Sequence, residues 1–182
     1  MSDLHADALR VLEGWTAPDA DQETWRAEYV EHLRTKPDGL EKPCFPDHLT
    51  AGALVLDADG SRVLLNLHGK AQRWFAFGGH LEPEDQTLAG AALREATEES
   101  GLVDLVIDPE PVHLSLHTVD FCNPRGPVRH LDVRFLARLG ASSEPVVSDE
   151  SLDVRWFDAT DLPTDEPDMV DLIRLARARL LG

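Results

Sequence analysis

Cationic side chains are scarce in this chain: its 182 residues carry 17 Lys and Arg against 34 Asp and Glu, a formal net charge of −17. Repulsion of that size opposes encounter with a nucleic-acid polymer or an anionic membrane, and neither is expected as a partner. Cysteine is nearly absent. Cys44 and Cys122 lie far apart and lack metal-type spacing, so two reduced thiols without an evident function are expected. No uninterrupted apolar run approaches the length of a membrane span. The opening MSDLHADALRVLEGW has neither the basic nor the apolar segment of a secretory leader, which makes the cytoplasm the expected location. Internal repeats and low-complexity tracts are also missing. What remains is an ordinary globular composition, 42% hydrophobic and 28% charged, in a chain long enough to bury a core without staples.

Residues 2–36 are expected to be helical. Leu4, Ala8, Val11, Leu12 and Trp15 share one helical face, and after the Ala17-Pro18-Asp19 break Trp25, Tyr29 and Leu33 recur every four residues. Lys36-Pro37-Asp38-Gly39 ends this region and Pro43 to Pro46 forms a linker, so residues 1–47 read as an added helical element and residues 48–182 as the main domain. Strand signals follow at 49–56 and 62–68 around the turn Asp57-Ala58-Asp59-Gly60, predicting a hairpin. Further short strands are expected at 73–77, 112–121, 131–139 and 154–157, with a helix over 167–181 that has Pro167 in its first turn and arginines late. Strands flanking helices predict an α+β or α/β sandwich.

Residues 78–102, GGHLEPEDQTLAGAALREATEESGL, carry the chemistry. Glu95, Glu98 and Glu99 lie at i, i+3 and i+4 of a helix, so their carboxylates project from one face and repel one another. A bare E-x-x-E-E usually marks a solvated surface. Here a glycine pair, Glu82 upstream and Arg94 beside the cluster favour a site in which a hard divalent cation sits between the charges.

This stretch resembles the Nudix box, G-x5-E-x7-R-E-U-x-E-E-x-G-U with U a bulky aliphatic residue. The helical half aligns on Arg94, Glu95, Ala96, Glu98, Glu99, Gly101 and Leu102. Asp85 stands where the first glutamate is usual, eight residues instead of seven separate it from Arg94, and Ala96 replaces a larger aliphatic residue. Outside the box the resemblance covers most of residues 48–160, through HLTAGALVL, LLNLH, RWFAFGGHLEP and VRWFDATDL. It implies an α/β fold of the Nudix type, an α/β/α sandwich around a mixed sheet, here with an N-terminal helical extension.

Cleaving a diphosphate needs an activated water, an electrophilic phosphorus and relief of charge on the leaving group, all of which divalent metals supply. Glu95, Glu98 and Glu99 are the expected ligands for Mg2+ or Mn2+, a role that the resemblance also implies. Gly79 would allow close approach of a carbonyl to the metal. Arg94 would orient or pair with a glutamate. Glu95 is the first choice of general base, with Glu150 in the loop SDESLD the alternative and Asp149 close behind; the same loop also reads as a solvated turn. Trp74, Arg73, Glu82, His117, His130 and Asp132 are candidates for lining the substrate pocket, although each also has a purely structural reading. Arg125 and Arg129 could meet phosphate or be surface charges.

The resulting expectation is a metal-dependent hydrolase acting on a nucleoside diphosphate linked to another group, a small phosphorylated substrate. Its rivals are a non-catalytic nucleotide-binding module of the same fold and, lower, an allylic diphosphate isomerase. The helical additions are a candidate homodimer interface.

Overall fold

The computed structural model describes residues 2–69, 71–120, 122–139, 144–146 and 151–182. Two helices come first, α1 (Asp3–Gly14) and α2 (Ala20–Thr35), each started by a side chain that accepts an otherwise unpaired N–H: Ser2 from His5, and Asp19 from Gln22. Strands β1 (Asp47–Leu56), β2 (Arg62–His68), β3 (Trp74–Phe75) and β4 (Phe77–His80) follow, then α3 (Leu88–Ser100), β5 (Leu105–Val119), β6 (Val128–Leu139), β7 (Ser151–Asp158) and α4 (Pro167–Leu181). The helical break, the hairpin and the last helix lie where hydropathy puts them. β5 begins well before the apolar run that predicted it. Asp108-Pro109-Glu110-Pro111 interrupts the alternation, and the strand accommodates it by shifting register between Ile107 and His113 while staying paired to β6.

Seven strands among the described residues form one mixed sheet, in the order β3-β2-β1-β6-β5, with β4 also on β1 and β7 on β2. β1 is its spine, parallel to β6 along its whole length and antiparallel to β2 at one end and β4 at the other. Strand alternation sorts its side chains onto two faces. Leu49, Ala51, Ala53 and Val55, with Leu131, Val133 and Phe135 of β6, share a core with the alanines of α3 and with Leu12, Tyr29 and Leu33 of the N-terminal helices. Leu54, Leu56 and Leu136 face the other way, onto Met169, Leu172, Ile173 and Ala176 of α4. The sheet therefore lies between helices.

The N-terminal helices are tied to this core by polar contacts as well. Asp7 accepts the Leu88 N–H at the start of α3 at 2.9 Å. Strand β5 is an edge, and α2 covers it: the buried Gln22 amide accepts from the Leu114 N–H at 2.6 Å and donates to the Leu114 carbonyl at 3.0 Å, as a neighbouring strand would. Tyr29 donates to the next carbonyl, Ser115, at 2.6 Å.

Beside α4, the second face of the sheet turns polar. Asp132 accepts from Thr50 at 3.0 Å and from Arg134 at 2.7 Å, and Arg134 reaches Asp168 in the first turn of α4 at 2.5 Å. Several histidines lie here too. Burial pushes His113 down from the ordinary 6.5 to about 4, with the Arg134 charge adding to the effect and Asp168 and Asp171 opposing it. Burial likewise lowers His80 to about 4 and His130 to about 3, neighbouring cations and rings contributing less.

Two consequences can be measured. Gln22→Leu leaves a buried N–H and carbonyl without partners and is expected to cost about 2 kcal/mol or more in urea unfolding; a loss under about 0.5 kcal/mol would contradict the edge-covering role. The second concerns pH. The unfolded chain protonates its imidazoles near 6.5, whereas the folded chain keeps His80, His113 and His130 neutral to about 4 or below. Stability in chelator-containing buffer should therefore fall as pH drops below 6.5. The urea midpoint is expected to decline between about pH 7 and pH 5, and a flat profile would show that the rings titrate freely in the fold.

Candidate active site

Helix α3 starts with the Thr87 side chain accepting from the Gly90 N–H at 3.0 Å and ends at Gly101, whose φ of 68° places it in the left-handed region that a glycine adopts without strain. Its inner side is built from Ala89, Ala91, Ala92 and Ala96. These short side chains let the helix lie close on β1 and β4, which is how Ala96 packs fully buried where a larger residue is usual.

The polar side is organised by Arg94. All five of its N–H groups have acceptors. Nε and one Nη2 hydrogen go to the two oxygens of Asp85 at 3.1 and 3.0 Å, the other Nη2 hydrogen to the His80 carbonyl at 3.1 Å, and Nη1 to Glu95 at 2.9 Å and Glu98 at 3.2 Å. Glu82 stands 3.9 Å from the same guanidinium. The Glu82 backbone N–H in turn donates to Asp85 at 2.8 Å, closing the loop beneath the helix. Asp85, which departs from the usual glutamate, is thus the principal partner of Arg94, and the extra loop residue leaves that fork intact. Its hydrogen bonds to Asp85 raise the guanidinium pKa further above its usual range. At Asp85 itself burial pushes the carboxyl up, but Arg94 and the Glu82 N–H outweigh it and the net shift is downward.

Glu95 is turned inward. Its side chain is 16% exposed against 59% for Glu98. Burial pushes its carboxyl above the ordinary range, Arg94 opposes this, and Glu98 and Glu82 add to it. Gly79 makes the room: a Cβ there would lie 2.7 Å from both Glu95 oxygens. Glu99 reaches β4, where it accepts the Gly78 N–H at 3.1 Å, and its other oxygen lies 3.4 Å from Asn66 Nδ2 on β2. The Asn66 Oδ1 atom is buried and has no hydrogen-bond partner among the described residues. The donors gathered here are carboxylate oxygens in excess of the single guanidinium, with one of them desolvated. That set fits a hard divalent cation.

The remaining sequence candidates have other surroundings. Arg73 pairs with Glu166 at 2.5 Å, and Trp74 packs edge-on to Phe157 with ring centroids 4.7 Å apart. His117 lies against His130 at 5.3 Å, on the sheet face with Asp132. Arg129 pairs with Asp47 at 2.6 Å, and Arg125 bonds the Pro43 carbonyl. Asp149 and Glu150 lie outside the described residues. Asn66 had no signal in the sequence, being one polar residue in an apolar strand. Asp85 had one, an acid at the position where the motif calls for an acid.

The family model described as the NUDIX domain matches residues 46–176. No curated protein matches the chain. Solved structures of similar fold include a Caenorhabditis elegans Ap4A hydrolase in a binary complex, 23% identical over 74% of this chain and 98% of that one, with a TM-score of 0.59. The NUDIX domain of Shewanella oneidensis NrtR complexed with ADP ribose is 23% identical over 72% and 87%, with a TM-score of 0.56. The Escherichia coli dihydroneopterin triphosphate pyrophosphohydrolase is 18% identical over 70% and 94%, also at 0.56. At these identities the structures speak for the fold, while the family model spans most of the chain. The chain belongs to the Nudix hydrolase family.

Proposed function

We propose that this protein is a pyrophosphohydrolase dependent on Mg2+ or Mn2+ that cleaves a diphosphate linkage in a nucleoside diphosphate joined to another group. The observation that carries the reading is the Arg94 network, which holds Glu95 in a desolvated position against Gly79 while Glu98 and Glu99 stand on the same helix face. The substrate class is supported by proteins of like fold, an Ap4A hydrolase and a NUDIX domain complexed with ADP ribose.

Glu95, Glu98 and Glu99, with the Gly79 carbonyl, would hold the cation, which when bound lowers the pKa of water, polarises a phosphate and offsets charge on the leaving group. Arg94 fixes the rotamer of Glu95 and, through Asp85, the loop below it. Glu95, held against Gly79 by Arg94, is the first choice of the group that accepts a proton from water. The Glu150 carboxylate is the alternative acceptor. Phosphate groups of the substrate approach a strongly acidic surface, so cations between carboxylate and phosphate also serve recognition.

Glu98→Gln and Glu99→Gln are each expected to lower kcat by about 10²-fold or more on a panel of nucleotide sugars, dinucleotides and nucleoside triphosphates with Mg2+ or Mn2+. Full turnover in both variants would remove the ligand assignment. Calorimetric nucleotide binding without product in fully metallated wild type would turn the reading toward a binding module.

Gly79→Ala tests the cradle. The new methyl must displace the Glu95 carboxylate, so turnover should drop by up to about 10²-fold with the far-UV spectrum unchanged. Unaltered kcat would show that the position of Glu95 is not critical.

A further inference from the structure

On the sheet face opposite α3, four side chains from four separate segments converge. His48 comes from β1, His80 from β4, His130 from β6 and Cys122 from the β5–β6 loop. One ligand atom from each lies within 4.8 Å of the others. The Cys122 sulfur is 3.3 Å from His80 Nε2, 3.4 Å from His130 Nε2 and 3.9 Å from His48 Nε2. In a tetrahedral zinc site with bonds of about 2.3 Å to sulfur and about 2.0–2.1 Å to nitrogen, donor atoms stand roughly 3.3–3.6 Å apart along the edges. The sulfur–nitrogen edge is the longer of these, about 3.6 Å, and all three sulfur–nitrogen separations lie within about 0.4 Å of it.

The tautomer of His48 adds an independent constraint. Its Nδ1 lies 3.2 Å from the Cys44 carbonyl, which can only accept, so the ring proton sits on Nδ1 and the Nε2 lone pair points into the cluster. A backbone carbonyl holding the far nitrogen of a ligand histidine is the usual outer support of a metal site. Without an ion the cluster is poorly satisfied, because a single thiol proton serves at most one of three imidazoles and sulfur is a weak acceptor for the rest.

We propose that His48, His80, Cys122 and His130 form a tetrahedral site for a borderline-soft divalent cation, Zn2+ by its donor set, separate from the carboxylate site of α3. The separation follows from the pleat. Gly79 faces Glu95 on one side of the sheet, so the next residue, His80, points to the other. The two sites also differ in chemistry, since Mg2+ prefers octahedral oxygen whereas imidazole and thiolate suit Zn2+. Four protein ligands leave no open coordination position, which makes this a structural clasp. It joins the β5–β6 loop to three strands, at the place where Arg125 of the same loop bonds the Pro43 carbonyl and lies over the Phe45 ring at 4.7 Å. On binding, the Cys122 thiol gives up its proton to solvent as the metal–sulfur bond forms.

The site goes beyond the hydrolase reading and stands or falls separately from it, because the test needs no substrate. Full-length protein stripped with chelator is titrated with Zn2+ and, in parallel, with Co2+, in excess Mg2+. One equivalent is expected to bind, with intense visible Co2+ bands of tetrahedral type, a thiolate charge-transfer band and a raised Tm. Cys122→Ser should abolish the thiolate band, and both Cys122→Ser and His130→Ala should weaken binding by more than the 10–100-fold typical of losing an outer-shell partner. If a variant does not fold, protection of the Cys122 thiol from alkylation by Zn2+ in wild type gives the same decision. Weak octahedral Co2+ bands, no Zn2+ retained at micromolar free metal, unchanged alkylation, or equal affinity in the folded variants would each overturn the proposal.

Discussion

A single guanidinium holds together the region around which the function is proposed. Arg94 faces the carboxylates of Asp85, Glu95, Glu98 and Glu82, so acids outnumber the cation beside them. Coulomb attraction fixes the acids that touch it, and the surplus negative charge is what a divalent ion would neutralise. Geometry matters as much as charge. The planar fork fits Asp85 with two parallel bonds, and the same plane then aims its remaining hydrogens at Glu95, Glu98 and the His80 carbonyl. A lysine would carry the charge without the fork. Loop, strand β4 and helix α3 are thereby locked in one arrangement before any ligand arrives.

Strand β1 divides the molecule's two polar regions. Its odd-numbered residues pack beneath α3, and its even-numbered ones, His48 and Thr50, join the polar row that includes His130 and Asp132. A slip of one residue in the β1–β6 pairing would exchange these sets. The long parallel register between the strands guards against it, and so does the row of small residues, Ala51, Ala53 and the alanines of α3, which lets that helix lie close on its own face of the sheet. The N-terminal helices strengthen the same arrangement by capping α3 through Asp7 and covering the β5 edge through Gln22.

Much of this was legible in the chain because it is local. The i, i+3, i+4 glutamates, the hairpin around Asp57 to Gly60 and the span of α4, with Pro167 at its start and arginines late, depend on neighbours a few residues away. Asp85 is harder to read, because it departs from the motif in type and in spacing and only the fold shows the Arg94 guanidinium donating to both of its oxygens. The histidine and cysteine cluster was illegible. Cys122 lies 42 residues from His80 and 74 from His48, and only the parallel pairing of β1 with β6 and the fold of a loop bring them together. Arg73 and Trp74 are candidates from their residue types alone, and their contacts, Glu166 ahead of α4 and Phe157 on β7, are brought to them only by the fold.

The most direct measurement of the central claim is an anomalous difference map at the manganese edge from a crystal soaked in Mn2+ with a non-hydrolysable dinucleotide. Density bridging oxygens of Glu95, Glu98 and Glu99 to the phosphates, with Arg94 still on Asp85 and Glu95, is the predicted result. Phosphates bound elsewhere, with no manganese among these carboxylates, would contradict it.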